Sequence, residues 1–485
     1  MSKQPLGTIT TLLDLTDRDV QESDFFPLDT ETTWFTRDRD RKIIQFAPQI
    51  QTIPFRGPAA FGQRFTIELG SLLIGDLLFG AVLQIKLGHW LDLRTRNMLA
   101  SNLIRYTNPS EAWEYANALG ASCIQSAELE IDGKTLETID GDFINMWSLI
   151  SSDYNTQFGV AYDHIALLPI ATLRQMSAQT VRAFPTEDAY LHCPLPFFFG
   201  RVKYQEALPL VSIKEGNVRL NITLRPFSEV VRQIKGYRDR CDSVPLNTQI
   251  SFTDTNGIES LVPTSAVVPS LESVALLTHG AIIDGEYRQT LLRKPYEMLH
   301  RELQIFSFDE PTKYIVGKRA ESDVITIQLP LEANHPIEEI LWYVRRKGVR
   351  DNNEWTNYTD KLEREWLDSD TFLTRPLLVG AKLQVNGIVL IESDEQYFRQ
   401  HIASKHKGGF VAYSNYVYGI SFAETPGIHQ PTGSVNASRA NSFRLTLDIR
   451  PPGGILDASW EVKVFCNAMN WMRYENGLAN PVFED

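Results

Sequence analysis

Regular alternation of apolar and polar side chains is the feature that most limits how this chain can fold. It recurs in segments spread over most of the sequence: 83–87, 218–225, 325–329, 443–450 and 460–466. Successive side chains of a β-strand point to opposite faces, so each segment offers one face to a core and the other to solvent. Such strands belong to antiparallel sheets packed face to face. The sequence therefore predicts an all-β protein.

The chain also repeats part of its own pattern. Residues 127–133 (AELEIDG) match residues 381–387 (AKLQVNG), 254 positions further on. Both segments predict a strand that ends in the Asp-Gly or Asn-Gly dipeptide of a tight hairpin turn. In both copies an aromatic residue follows ten positions after the glycine, Phe143 in the first and Tyr397 in the second.

A second match comes later and in the same order. Residues 219–224 (RLNITL) resemble residues 444–449 (RLTLDI), 225 positions further on. Two ordered matches with somewhat different spacing predict two related domains whose loops differ in length. The polar, turn-rich stretch 236–269 lies between the halves and is interpreted as a linker or a long excursion.

Helices are predicted to be few and short. The clearest is Pro109–Leu119, where Asn108 can cap the first turn and Gly120 can end the helix. Further short helices are predicted near residues 143–150, 297–303 and 360–366.

Composition fits a soluble, well-packed protein of two domains. The chain has 485 residues, of which 43% are hydrophobic and 22% are charged. The net charge of −13 disfavours a nucleic-acid-binding protein, which would need a basic stripe. The short basic run Arg345–Lys347, followed by Arg350, could touch an acidic partner, but the favoured interpretation is a solvated loop after a strand. The most apolar stretch, 69–83, contains Asp76 and is too short to span a bilayer.

Residues that could carry chemistry are scattered. The four cysteines, Cys123, Cys193, Cys241 and Cys466, lie far apart without a CxxC pair, which predicts neither a disulfide framework nor a zinc site and fits a reducing compartment. Gly133-Lys134-Thr135 resembles the end of a phosphate-binding loop, but residue 128, where that loop needs glycine, is Glu128.

Histidines give no stronger signal. His401 and His406 lack a third metal ligand of suitable spacing and are interpreted as solvated loop residues. His192 and its neighbour Cys193 would point to opposite faces of a strand and so could not form a catalytic pair. The sequence therefore predicts no catalytic, cofactor-binding or metal-binding residue.

Three sequons, at Asn221, Asn357 and Asn436, could in principle accept a glycan. Without a secretory signal they are expected to be silent, and Asn221 also falls within a predicted strand. Whether any of the three is glycosylated stays open at this point.

Several segments resemble the major capsid proteins of nucleocytoplasmic large DNA viruses. The most specific is 418–439 (YGISFAETPGIHQPTGSVNASR), which resembles the C-terminal His-Gln-Pro-Ser-Gly and Asn-x-Ser-Arg signature of the family. Residues 335–342 (HPIEEILW) resemble its His-Pro-x-x-Glu-Leu-x-Trp strand. Looser matches extend the resemblance from about residue 10 to residue 483.

This resemblance implies two tandem eight-stranded antiparallel jelly rolls with short helices in loop insertions. The expected organisation is an N-terminal arm at 1–27, a first jelly roll at 28–235, a linker at 236–269 and a second jelly roll at 270–485. Members of the family form trimers with six barrels, and these tiles pave an icosahedral shell around an internal membrane.

The expected function is accordingly structural and not enzymatic, in the capsid shell of a virion assembled in the host cytoplasm. The expected partners are two further copies of the chain, neighbouring capsomers, and minor capsid, penton and membrane-associated virion proteins, without direct contact to nucleic acid. Ala440-Asn441 replaces the Ile-Asp of the signature, so a minor capsid or scaffold-like protein is one alternative. A two-domain β-sandwich that binds or cleaves carbohydrate is another.

Overall fold

The computed structural model describes most of the chain beyond the N-terminal segment. The described ranges are 45–88, 93–101, 103–106, 111–116, 118–151, 190–201, 206–235, 241–243, 251–254, 259–261, 271–309, 324–360, 375–406, 416–450 and 460–483. The expected N-terminal arm at 1–27, and all but the first residue of the helix expected at 360–366, lie outside these ranges.

Eight strands of the first half build two four-stranded antiparallel sheets. They are β1 (Phe46–Pro54), β2 (Arg64–Glu68), β3 (Leu77–Leu87), β4 (Ile124–Ile131), β5 (Lys134–Ile139), β6 (Tyr190–Leu195), β7 (Val218–Leu224) and β8 (Leu271–Ile283). The strand orders are β1-β8-β3-β6 and β2-β7-β4-β5. Apolar side chains of the two inner faces form the core of this barrel.

Eight strands of the second half repeat this arrangement. They are β9 (Tyr296–Phe308), β10 (Ile325–Pro330), β11 (Pro336–Arg346), β12 (Leu378–Val385), β13 (Ile388–Asp394), β14 (Val417–Ser421), β15 (Phe443–Ile449) and β16 (Trp460–Glu475). Their orders, β9-β16-β11-β14 and β10-β15-β12-β13, equal those of the first half with every number raised by eight. Each half is therefore an eight-stranded jelly roll.

The sequence repeats fall on equivalent strands. Residues 127–133 and 381–387 lie on β4 and β12 with the turns that follow, while 219–224 and 444–449 lie on β7 and β15. In both hairpins the turn dipeptide has positive φ, at 53° and 81° for Asp132-Gly133 and at 50° and 80° for Asn386-Gly387. Such turns favour Asn or Asp followed by Gly, as the sequence indicated.

Shorter elements complete the described part of the fold. The helices are α1 (Ser71–Ile74), α2 (Leu93–Ala100), α3 (Leu119–Ser122), α4 (Gly141–Ser151), α5 (Phe198–Arg201), α6 (Gly285–Arg293), α7 (Lys347–Asp351) and α8 (Glu395–Lys405), with 3-10 turns at Leu210–Ser212, Phe227–Glu229 and Ala437–Arg439. Further strands are Ile104–Tyr106, Glu111–Tyr115, Val231–Lys235, Cys241–Ser243, Ser251–Asp254, Glu259–Leu261, Val435–Asn436 and Leu478–Pro481.

Two of the predicted helices are wrong. Residues 111–115 of the helix expected at Pro109–Leu119 form a strand that pairs with Val231–Lys235, because cross-strand pairing outweighs the local helix signals. Residues 297–303 lie within β9, which pairs continuously with β16. The helix expected near 143–150 is present as α4.

The expected boundary between the domains also needs correction. β8 (Leu271–Ile283) was assigned to the second jelly roll, but it lies between β1 and β3 and is hydrogen-bonded to both. The stretch 236–269 consequently falls between two strands of the first barrel. Three described parts of it form small sheets with Glu111–Tyr115, Val231–Lys235 and Ile104–Tyr106. It is thus an excursion of the first jelly roll, and α6 connects the two barrels.

Candidate functional site: the junction of the two jelly rolls

The two barrels meet through one edge of the first and one face of the second. We call β5 with the following helix α4 the first docking edge, and the outward face of the sheet β9-β16-β11-β14 the second receiving face. β11 and most of β16 are buried on both of their faces, whereas a strand that covers only a core alternates. The first docking edge therefore covers the second receiving face and excludes solvent from it.

Aromatic rings form the centre of this junction. Phe143 of α4 is fully buried, and its ring centroid lies 5.4 Å from that of Phe465 on β16. Phe143 also stacks on Trp147 one turn along α4, at 5.9 Å between centroids. Trp147 in turn meets the edge of His406 at 5.4 Å. Contacts of this kind combine a large buried area with a defined geometry, which fixes the orientation of the helix on the sheet.

Arg345 lies beside these rings and is completely buried. Its Nη1 donates to Asp142 Oδ1 of α4 at 2.8 Å and to the carbonyl oxygen of Trp355 at 2.6 Å. Its Nη2 donates to Glu461 Oε2 at 2.9 Å. Lys463 Nζ bonds to both Asp140 and Asp142, at 2.7 Å each. Arg345 and Lys463 of the second barrel thus both bind the N-terminal end of α4.

The basic run at Arg345–Lys347 is therefore not the solvated loop that was expected. Arg345 is the penultimate residue of β11 and points inward, into the junction. Burial raises the pKa of a carboxyl, but the Arg345 guanidinium, with Lys463, holds the pKa of Asp142 well below its usual range. The acidic partners in turn keep Arg345 charged, with its pKa raised despite burial.

A second ionic cluster joins the barrels near β5. Arg301 of β9 donates from Nε to Glu338 at 2.6 Å and also binds Glu206 of the first half. Arg201 pairs with Glu137 of β5 and donates to the carbonyl oxygen of Arg301 at 2.7 Å. Burial is the largest effect on Glu137 and raises its pKa, although Arg201 opposes the shift. Such buried pairs are poor sources of net stability but costly to break, so they fix one arrangement of the barrels.

The loop that follows α7 in the second barrel donates hydrogen bonds to backbone carbonyls of the first barrel. Asn353 Nδ2 donates to the carbonyl oxygens of Ser228 and Val231, at 2.7 Å each. Trp355 Nε1 donates to the carbonyl oxygen of Glu229 at 2.8 Å, and the Arg225 guanidinium stacks over the Trp355 ring at 3.7 Å.

His300 of β9 lies at the same junction, beside a cavity of about 430 Å³ that residues of both barrels line. Its ring packs against Phe198 at 5.3 Å, and its Nδ1 has no hydrogen-bond partner among the described residues. Burial, with the charges of Arg201 and His335 nearby, lowers the pKa of His300 to about 4. Protonation would therefore place an uncompensated charge at the junction.

This leads to a pH-dependent prediction. The pKa of a histidine in the unfolded chain is ~6.5, whereas the pKa of His300 in the folded protein is about 4. Between these two pH values the unfolded chain therefore binds a proton at His300 that the folded protein does not bind. The stability contributed by neutral His300 is fully present above pH ~6.5 and is lost as the pH falls towards 4, at most about 3 kcal/mol. Urea unfolding between pH 4.5 and 7.5 should show a smaller pH slope for His300→Gln than for the wild type. Equal slopes would contradict this assignment.

The residues singled out in the sequence do not converge on a reactive site. His401 lies within α8, and His406 is buried at its end, where its Nε2 is 2.7 Å from Glu339 Oε2; neither is the solvated loop residue that was expected. Cys193 is buried, while His192 contacts Gln84 at 2.9 Å. Cys123, Cys193 and Cys466 are buried and form no disulfide bond.

Two sequons are buried and engaged. Asn221 Nδ2 donates to Glu130 at 3.0 Å, and Asn357 Nδ2 donates to Glu354 at 2.7 Å, while Asn436 is exposed. Gly133 lies in the β4–β5 hairpin turn and Lys134 begins β5, so the helix that a phosphate-binding loop needs does not follow. No group of three or more His, Cys, Asp or Glu in the described ranges could hold a metal ion. None of the helices described is long and apolar enough to cross a membrane.

Two of the motifs that carried the resemblance line one groove of the second barrel. His429, Gln430 and Pro431 of the motif 418–439 and Pro336 of the motif 335–342 line this groove, which has a volume of about 590 Å³ and is also lined by Trp471. Local sequence reasoning identified these motifs but missed the junction, because Arg345 and its partners Asp142 and Glu461 are 203 and 116 residues apart.

Two tandem jelly rolls with the same strand order, locked together by a buried junction, define a double jelly-roll protein. Comparisons with family models agree with this class. Residues 33–260 match the model of the major capsid protein N-terminus, and residues 288–480 match the model of the large eukaryotic DNA virus major capsid protein. The chain therefore belongs to the family of major capsid proteins of large eukaryotic DNA viruses.

Individual relatives are distant. The major capsid protein of Chrysochromulina ericina virus is 24% identical over 332 residues, which are 63% of this chain and 52% of the relative. The chain spans about half the length of this and two other curated relatives. The major capsid protein of Pyramimonas orientalis virus is 23% identical over 460 residues, which are 92% of this chain and 92% of the relative.

Solved structures share the fold at low identity. The PBCV-1 protein VP54 aligns with a TM-score of 0.63 and 16% identity over 93% of this chain and 100% of that chain. The Faustovirus major capsid protein aligns with a TM-score of 0.63 and 11% identity over 97% of both chains. These similarities support the double jelly-roll architecture.

Proposed function

We propose that this chain is a structural capsid protein, three copies of which form a pseudo-hexagonal capsomer in the icosahedral shell of a large DNA virus. The observation that carries the proposal is the buried junction. A tile of six barrels requires the two barrels of each chain to keep a fixed relation, and the clusters around Arg345 and Arg301 supply it.

The charges of the junction also argue against a hydrolase acting there. Its buried carboxylates, including Asp142, Glu461 and Glu338, are held in ion pairs with arginine. A glycosidase instead needs two carboxyl groups that face a substrate cleft, one of them free to donate a proton. We therefore favour an architectural role over an enzymatic one.

The remaining parts of the proposal follow from the family. The protein would reside in the virion shell after assembly in the host cytoplasm, and it would contact neighbouring capsomers, minor capsid and penton proteins, and membrane-associated virion proteins. The net charge of −13 argues against direct contact with nucleic acid. The expected arm at residues 1–27 would reach beneath the shell or towards a neighbour.

Light scattering of the purified protein at several dilutions tests this function. We expect one species of three chains, each of 55.1 kDa, that persists at micromolar concentration. A strict monomer under these conditions would contradict the proposed shell protein and would favour a minor component that needs a partner.

A further inference from the structure

The receiving face of the first barrel is open where that of the second is covered. We call the outward face of the sheet β1-β8-β3-β6 the first receiving face. Its strand β3 keeps the alternating burial of a strand with one covered face, whereas the equivalent β11 is buried on both faces. Val82 and Leu277, paired across β3 and β8, lie on this open face and are partly exposed.

The edge strand of this face is apolar and open to solvent. Among the described strands, β1 pairs with β8 alone, and Phe46 and Ile50 on its outward side are 55% and 62% exposed. Ordinary surfaces carry scattered apolar residues, but a cluster on an edge strand marks an interaction surface.

The second barrel shows the opposite imbalance. We call β13 with the following helix α8 the second docking edge, since these elements are equivalent to β5 and α4. The last four residues of β5 alternate between half-buried and buried, whereas five of the seven residues of β13 are exposed. Its residues Ile388, Val389 and Leu390 are 67%, 40% and 45% exposed, which is unusual for three consecutive apolar side chains.

The two docking edges correspond residue by residue at the spacing of 254. Asp140 Oδ1 accepts from Phe143 N at 2.8 Å, and Asp394 Oδ1 accepts from Tyr397 N at 2.9 Å. The first edge stacks Phe143 on Trp147. At the equivalent positions of the second edge Tyr397 stacks on His401, at 5.4 Å between centroids and an interplanar angle of 22°.

The environments of these two ring pairs differ. Phe143 is fully buried against the second barrel, whereas Tyr397 is 42% exposed. The second docking edge thus shares the capped helix and the stacked rings of the first. Its helix α8 packs on β14 of its own barrel through the buried residues Phe398 and Ile402, whereas the described part of the chain leaves Tyr397 and most of β13 exposed.

We propose that the second docking edge of one chain packs on the first receiving face of a second copy of this chain, repeating between chains the contact that α4 makes within one. This inference rests on the proposed function and assigns the contact that would hold the capsomer together. The contact is heterologous, because it joins two different surfaces, and a heterologous contact builds a ring when its rotation closes. Six barrels of three chains would then meet through three contacts within chains and three between them.

Charge substitutions in the two surfaces test the proposal. Ile388→Asp alters the docking edge, Ile50→Asp alters the receiving face, and Leu93→Asp on α2 is the control, since Leu93 is similarly exposed, at 64%. All three variants should fold, with thermal midpoints close to that of the wild type, because the replaced side chains are largely in solvent. In light scattering, both interface variants should need a concentration at least about tenfold higher to form trimers, whereas the control should behave as the wild type.

Mixing the two interface variants tests the heterologous geometry. In an equimolar mixture, the intact docking edge of Ile50→Asp can bind the intact receiving face of Ile388→Asp, and the ring cannot close. We therefore expect a species of two chains that neither variant forms alone. Its absence, in a mixture of folded variants that each fail to trimerise, would contradict the pairing of these surfaces.

The outcomes separate this inference from the function on which it rests. A monomeric wild type would contradict the capsomer itself. A trimeric wild type whose Ile388→Asp and Ile50→Asp variants stay trimeric would leave the proposed function standing and would refute this contact.

Discussion

Replacing Arg345 by methionine is expected to lower the free energy of unfolding by about 3–5 kcal/mol. The substitution keeps most of the side-chain volume but leaves Asp142 and Glu461 buried without their shared cation. Urea unfolding at neutral pH measures the effect. Arg64→Met is the matched control, because the Arg64–Glu128 pair is solvent-exposed and should contribute no more than about 1 kcal/mol. A loss for Arg345→Met as small as that of the control would refute the assigned role of the cluster.

A combined variant distinguishes an unpaired charge from lost packing. When Asp142→Asn and Glu461→Gln are added to Arg345→Met, the two side chains that lost the guanidinium no longer carry a charge. Since replacing a buried ionic cluster by neutral groups is often close to neutral in stability, the triple variant should recover part of the loss. No recovery would mean that the guanidinium acts mainly by packing.

Truncating Phe143 to alanine is expected to cost about 3–5 kcal/mol, because the ring is fully buried between the two barrels. Tyr397→Ala makes the equivalent change in the other half of the repeat, where the ring is 42% exposed, and should cost the isolated chain less than about 1 kcal/mol. Thermal or urea unfolding of dilute protein gives both values. Equal losses would contradict the asymmetry between the two docking edges.

Strands and the duplication were predictable from the sequence, because their signals are local. The alternation in segments such as 83–87 and 443–450 appears as β3 and β15, and the spacing of 254 residues between the hairpins relates β4 to β12. Fold class and family follow from these patterns and from motifs such as 418–439.

Tertiary contacts decided the features that the sequence left out. The helix signals around Pro109 are local, but Glu111–Tyr115 gains a partner strand more than a hundred residues away. Arg345 stands in a basic run typical of a surface loop, and only the fold brings Asp142 and Glu461 to it. The boundary at residue 270 was misplaced because β8 returns to the first sheet after a long polar excursion.

The positions of β8 and β16 in their sheets determine when the first strand of each barrel can pair during folding. Each is the last strand of its barrel along the chain, yet each lies between the first and third strands of that barrel, and β1 and β9 pair with no other of the sixteen barrel strands. During synthesis, β1 must therefore wait for more than two hundred further residues before it acquires a neighbour, which makes folding slow. The open face that includes Ile50 and Leu277 exists only once β8 has been inserted. A chain that ended before β8 would lack that surface, and under the proposed contact it could not join a capsomer.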